Sequence, residues 1–169
     1  MSIGSLGWIL FDENLALQDR FLWQQPELLA RHLALGASLA LFLHGLTIEL
    51  NQRSRWSQRL TGWFQQELGH LDTQTILLLA LSSGIGEELL FRGVIQAKVG
   101  IIIASVLFGV VHWPPRKQLR AWTYMAGVIG LLFGLITDLM SSIVPAMVAH
   151  VLINFLNLRL IVRSRERKK

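Results

Sequence analysis

A chain of 169 residues, 52% hydrophobic and without cysteine, has the size of one domain and excludes disulfides, a thiol nucleophile and thiolate metal ligands. Its net charge of +5 does not point to nucleic acid, because the basic residues are gathered between apolar stretches and are not interleaved with stacking aromatics on one face. The apolar stretches run at 28–50, 74–98, 99–113, 121–140 and 143–162. Four of them approach or exceed the roughly 20 residues that cross a bilayer as helix. The expectation is an all-α, multi-pass transmembrane helical bundle with about five membrane segments.

Residues 1–73 read as an acidic N-terminal segment, a first transmembrane helix and a basic loop. Met1–Phe11 lacks the basic region of a signal peptide, and Asp12, Glu13, Asp19 and Glu27 outweigh Arg20, so the stretch 28–50 is read as an uncleaved first span. Arg53, Arg55 and Arg59 follow it. Residues 74–162 read as the helical core. Within it the 99–113 stretch falls short of a full span and suits a partial helix packed inside the bundle.

Arg116, Lys117 and Arg120 then precede a stretch in which Gly130 and Gly134, with Ala126, form a small-residue row suited to close packing. Residues 163–169, RSRERKK, form a basic tail. By the positive-inside rule the three basic clusters are cytoplasmic, which leaves the N-terminus outside and the C-terminus inside. Trp56, Trp63, Trp113 and Trp122 flank the basic loops, where interfacial anchoring and ordinary packing weigh equally.

The chemistry concentrates in GEELLFRG at 86–93. Each charge near a bilayer centre costs about 2.5–3.5 kcal/mol even on the lenient insertion scale, so Glu87, Glu88 and Arg92 in apolar surroundings constitute a functional-site hypothesis. The plainer reading is a solvated helix turn, since Glu88 and Arg92 stand four apart. Other polar groups within the stretches are His112, His150 and Asn154, while Asp138, His44, Glu49 and His32 lie nearer helix ends. At 1.5 Å per residue, Glu87, His112 and Asn154 sit about 17 Å from the outer ends of their spans and His150 about 10 Å. His150 and Asn154 share a helix face, as do Phe108 and His112.

Ser82 and Ser83 lack the Gly-x-Ser-Gly context of rhomboid-type proteases, and neither Gly-x-Gly-Asp nor His-Glu-x-x-His occurs. What remains is glutamate chemistry: a carboxylate withdrawn from water is a competent general base when histidine or amide donors stabilise the oxyanion that forms.

EELLFR at 87–92, FGVVH at 108–112 and HVLIN at 150–154 resemble, in order and approximate spacing, the Glu-Glu-x-x-x-Arg, Phe-x-x-x-His and His-x-x-x-Asn motifs of the CPBP intramembrane proteases. That family includes the Rce1-type CAAX prenyl endopeptidases and bacterial bacteriocin-processing and self-immunity (Abi-type) proteins. The resemblance implies a peptide hydrolase in which Glu87 activates water with help from His112. It places His150 and Asn154 at the oxyanion and pairs Glu88 with Arg92. Either glutamate could be the base by sequence alone, because adjacent helical residues point about 100° apart.

No cofactor is favoured, although Glu87, His112 and His150 could hold zinc. A single span before the core makes a membrane-associated bacterial peptide or protein a better substrate than a prenylated one. The expected location is the prokaryotic inner membrane, with the C-terminus and the active-site opening cytoplasmic. The alternative is a non-catalytic immunity or adaptor protein in which the same groups form a structural network; a proton or ion pathway is weaker, for want of a repeat.

Overall fold

The computed structural model describes residues 25–166. The acidic segment before Gln25 and the last three residues of the basic tail lie outside the described residues. Among those described every regular element is a helix. The elements are α1 (Pro26–Arg53), α2 (Arg55–Leu68), α3 (Thr73–Glu88), a π-helical stretch (Leu89–Gln96), α4 (Ala97–Val111), a 3-10 turn (Lys117–Leu119), α5 (Ala121–Met140) and α6 (Val144–Glu166).

Local sequence explains the ends. Pro26 opens α1 at a position where its missing N–H is not needed, with Glu27 in the first turn and Arg53 in the last complementing the helix dipole. Asp72 caps α3, its carboxylate accepting the Thr75 backbone N–H at 2.7 Å. Hydrogen bonds from the Thr75 side chain and backbone hold the Asp72 carboxyl below its ordinary value.

Four helical stretches among the described residues are long and apolar enough to cross a membrane: Pro26–Arg53, Thr73–Val111, Lys117–Met140 and Val144–Ser164. The 39-residue stretch Thr73–Val111 contains two of the five expected segments, and it is not straight. Gly100 breaks it at φ 78°, ψ 165°, a conformation that an L side chain rarely adopts. The Phe91 and Phe108 rings then meet at 4.9 Å, whereas 17 residues of straight helix would separate them by about 25 Å. The chain therefore doubles back at Gly100, and α4 lies against the π-helical stretch and α5.

The polarity of the bundle is inverted relative to a water-soluble protein. Leu41, Phe42, Leu78, Ile102 and Leu139 face outward, the last 81% exposed, while Glu88, Arg92, Gln96 and His150 are buried. An outer surface of large apolar side chains around ionisable groups is the arrangement lipid selects. The inside is small and tightly fitted: Leu43, Phe133, Ala146, Ala149 and Ile153 form one cluster and Phe91, Phe108 and Ala126 another.

Helix α6 is the post against which α1 and α3 pack. Gly84 permits the second contact, because a Cβ there would fall 2.7 Å from the Val151 backbone nitrogen. Gly130 and Gly134 receive side chains of the doubled-back segment, Phe108 at the first and Gln96 and Ile101 at the second. The residues between Arg53 and Thr73 are mostly an amphipathic helix and only partly loop. Trp56, Leu60, Trp63 and Phe64 of α2 turn inward at helical spacing, while Gln58, Arg59, Gln66 and Glu67 remain exposed.

Candidate active site

Glu87 and Glu88 end α3 and, being adjacent, face different partners. Glu88 is fully buried. One of its oxygens accepts from Arg92 Nε at 2.9 Å, and the other meets His150 Nδ1 at 2.8 Å. Glu87 is about a third exposed (31% of its side chain) and turns toward α4, where its Oε2 lies 3.6 Å from His112 Nε2 and 4.0 Å from His150 Nε2. Both distances are too long for direct hydrogen bonds. Glu87 Oε2 is buried without a hydrogen-bond partner among the described residues.

The two imidazoles are oriented from behind. His112 Nδ1 lies 2.7 Å from the Phe108 carbonyl, which only accepts, so Nδ1 carries the proton. His150 Nδ1 faces the Glu88 carboxylate in the same way. Glu87 Oε2 is thus the atom that both Nε2 atoms face.

Phe108 holds this cluster together. Its ring lies 4.6 Å from that of His112 and 5.8 Å from that of His150, and the Arg92 guanidinium sits 5.2 Å over its face. That stacking matters because Arg92 Nη1 and Nη2 are buried with no hydrogen-bond partner among the described residues, and a ring face attracts a desolvated cation. The π-helical stretch that begins directly after Glu88 carries Arg92 and Gln96 inward; such departures from α geometry recur at functional sites.

Five of the six residues singled out in the sequence, Glu87, Glu88, Arg92, His112 and His150, therefore meet in one cluster. Asn154 stands apart from the carboxylates: its Nδ2 donates to Ser83 Oγ at 2.9 Å, and Ser83 in turn donates to the Leu79 carbonyl at 2.8 Å. Ser83 is the residue that sequence reasoning missed. It stands one turn before Glu87, a spacing that marked it only in hindsight of the Asn154 contact.

His112, His150 and Asn154 form the polar end of a chamber of about 440 Å3. The rest of its wall is mostly apolar and aromatic, with Phe133 and Trp122 from α5 and Trp56, Trp63 and Phe64 from α2, interrupted by Thr47, Asn51, Ser57, Thr61 and Asn157. Helix α2 roofs the chamber and is tied to α6 by Gln65, whose amide donates to the Ile161 carbonyl at 3.1 Å and to Ser164 Oγ at 2.7 Å.

Two imidazoles and a carboxylate are a donor set that zinc accepts. As arranged, however, no group of three or more His, Asp or Glu among the described residues is disposed to hold a metal ion.

Fold and site together define a class, the multi-pass helical membrane proteins with an ionisable cluster buried between spans. Residues 69–156 match the family described as type II CAAX prenyl endopeptidase Rce1-like, and the chain belongs to that family. It is an integral membrane protein. The chain is also similar to the uncharacterized protein YpbD of Bacillus subtilis (strain 168), at 33% identity over 81 residues. That similarity covers 47% of this chain and 41% of the relative, so the chain spans less than half of the relative it matches. No solved structure gives a significant match.

Proposed function

We propose that the protein is an intramembrane endopeptidase that hydrolyses a peptide bond in a membrane-associated peptide or protein with a glutamate-activated water. The observation that carries this reading is Glu87 Oε2, buried, without a hydrogen-bond partner and faced by two imidazole nitrogens. A water held by the partly exposed Glu87 carboxylate gives it one proton as the water oxygen attacks the scissile carbonyl carbon. The carbonyl π electrons move onto oxygen. His150, its Nδ1 held against Glu88, lies with Asn154 at that oxyanion, and the amide N–H of Asn154 not used by Ser83 is the donor. When the C–N bond breaks, Glu87 passes its proton to the leaving amine.

Glu88 and Arg92 serve this scheme by position: the pair fixes the helix turn and the His150 ring. The apolar chamber suits a substrate with a large apolar portion beside the scissile bond. The basic loops support placement in a prokaryotic inner membrane with the C-terminus cytoplasmic. A reporter fused after Lys169 tests this, and periplasmic activity there would reverse the orientation.

The buried Glu88–Arg92–His150 network favours one second reading, a non-catalytic immunity or adaptor protein in which those bonds only fix helix register. One experiment separates the two. Purified protein in liposomes is given quenched fluorescent peptides carrying an apolar anchor, with and without a chelator. Cleavage by the wild type and none by Glu87→Gln supports the protease; cleavage lost to chelator and restored by zinc would substitute a metal-assisted step. Equal cleavage by wild type and Glu87→Gln would remove Glu87 as the base.

A further inference from the structure

A second hollow, of about 560 Å3, opens between α2 and the 3-10 turn. Its chemistry is the reverse of the chamber's. Arg59 and Gln66 line it from α2, Arg116 and Gln118 line it from the segment before α5, and Trp63 lines both this hollow and the chamber. No carboxylate stands among the described residues that line it. Among the described residues neither Arg59 nor Arg116 has an ion-pair partner.

Two guanidiniums from separate elements that share one hollow repel each other unless an anion lies between them. A guanidinium presents its donors as a planar fork matched to phosphate oxygens, and the Gln66 and Gln118 amides add neutral donors and acceptors suited to a glycerol headgroup. The hollow also lies beside the ends of apolar spans. Helix α1 ends at Arg53 just before α2, and α5 begins at Ala121 just after the 3-10 turn, so the ends of two apolar spans flank it. Tryptophan beside such ends is characteristic of the headgroup level.

We propose that this hollow binds the phosphate of an anionic phospholipid, gripped between Arg59 and Arg116, with the lipid joining α2 to the segment before α5. Since α2 roofs the chamber, the bound headgroup holds the roof down.

The test uses the full-length protein, stripped of lipid in neutral detergent and titrated with phosphatidylglycerol or phosphatidylcholine. Occupancy is read by native mass spectrometry. The wild type is expected to prefer phosphatidylglycerol by about tenfold or more, with the preference shrinking as salt rises. R59Q/R116Q is expected to lose most of that preference, while the charge-matched control K98Q/R163Q keeps it. The single variants R59Q and R116Q, each expected to lose several-fold, carry the test if the double variant does not purify folded. No preference in the wild type, a preference retained in R59Q/R116Q, or an equal loss in the control would each overturn the proposal. Displacement of phosphatidylglycerol by an equal concentration of inorganic phosphate would mark a simple anion pocket and overturn the lipid assignment.

Discussion

Glu88 and Arg92 meet at 2.9 Å with both side chains withdrawn completely from solvent, one residue away from a glutamate whose Oε2 bonds to nothing among the described residues. A satisfied carboxylate and an unsatisfied one on the same turn have different physical duties. Removal of Glu88 should therefore be felt in the fold before it is felt in the chemistry.

For Glu88→Gln the expected outcome is a loss of about 3–5 kcal/mol, the usual consequence of leaving one member of a buried pair without its partner. Thermal unfolding in detergent measures it. Glu87→Gln should unfold close to the wild type while lowering the cleavage rate by about 10²–10⁴-fold, the range assigned to a general base. Equal unfolding temperatures for the two variants would contradict the division of labour between the glutamates.

Gly84→Ala tests the contact that brings α3 to α6. The added Cβ would lie 2.7 Å from Val151 backbone nitrogen, so the helices must part or shift, and overpacking of this kind typically costs about 1–3 kcal/mol. Both glutamates stand one turn beyond, so activity should fall together with stability. An alanine variant with wild-type unfolding and cleavage would show that the helices are not this close.

Much of this was legible in the sequence, and the illegible parts have physical causes. The apolar stretches located the spans because lipid demands long apolar helices, and the polar residues within them stood out because charge there is costly. The roles of Glu87 and Glu88 could not be separated, since the sequence does not say which way α3 is rotated. The reversal at Gly100 depends on one backbone conformation with no local pattern around it. Helix α2 was concealed by its composition: with Arg55, Gln58, Arg59, Gln65, Gln66 and Glu67 it reads as a loop, and only the spacing of Trp56, Leu60, Trp63 and Phe64 reveals an inward face. Arg92, four residues after Glu88, rests on the Phe108 ring, a contact between segments that no local pattern predicts.

A pH experiment addresses the start of α3. The Asp72 carboxyl is held below its ordinary value by hydrogen bonds from Thr75, so the cap is fully present above the unfolded-chain value, about 3.9, and is lost as pH falls through the lower folded value. Hydrogen exchange at the Thr75 amide should therefore show protection relative to Asp72→Ala that fades only in strong acid. Asp72→Asn also caps but does not titrate, and its protection should not fade. Protection that fades equally in both variants would mean that the cap is not what titrates.

The last prediction concerns Ser83, whose side-chain hydrogen bonds among the described residues go to Leu79 and Asn154. Its hydroxyl accepts from Asn154 Nδ2 at 2.9 Å and donates to the Leu79 carbonyl, so it fixes the amide plane and leaves the second N–H pointing elsewhere. Ser83→Ala removes that tether while the donor itself remains. Loss of an oxyanion donor costs about 10²–10³ in kcat; a loosened donor should cost less, about tenfold, with KM nearly unchanged because the interaction strengthens only in the transition state. Asn154→Ala should show the larger effect, and Ser83→Ala on top of it should add little, since both changes act through one amide. Ser83→Thr keeps the hydroxyl and should recover most of the rate. If Ser83→Ala raises KM instead, or if its effect multiplies with that of Asn154→Ala, the serine acts on substrate binding by another route and Asn154 loses its place as the positioned donor.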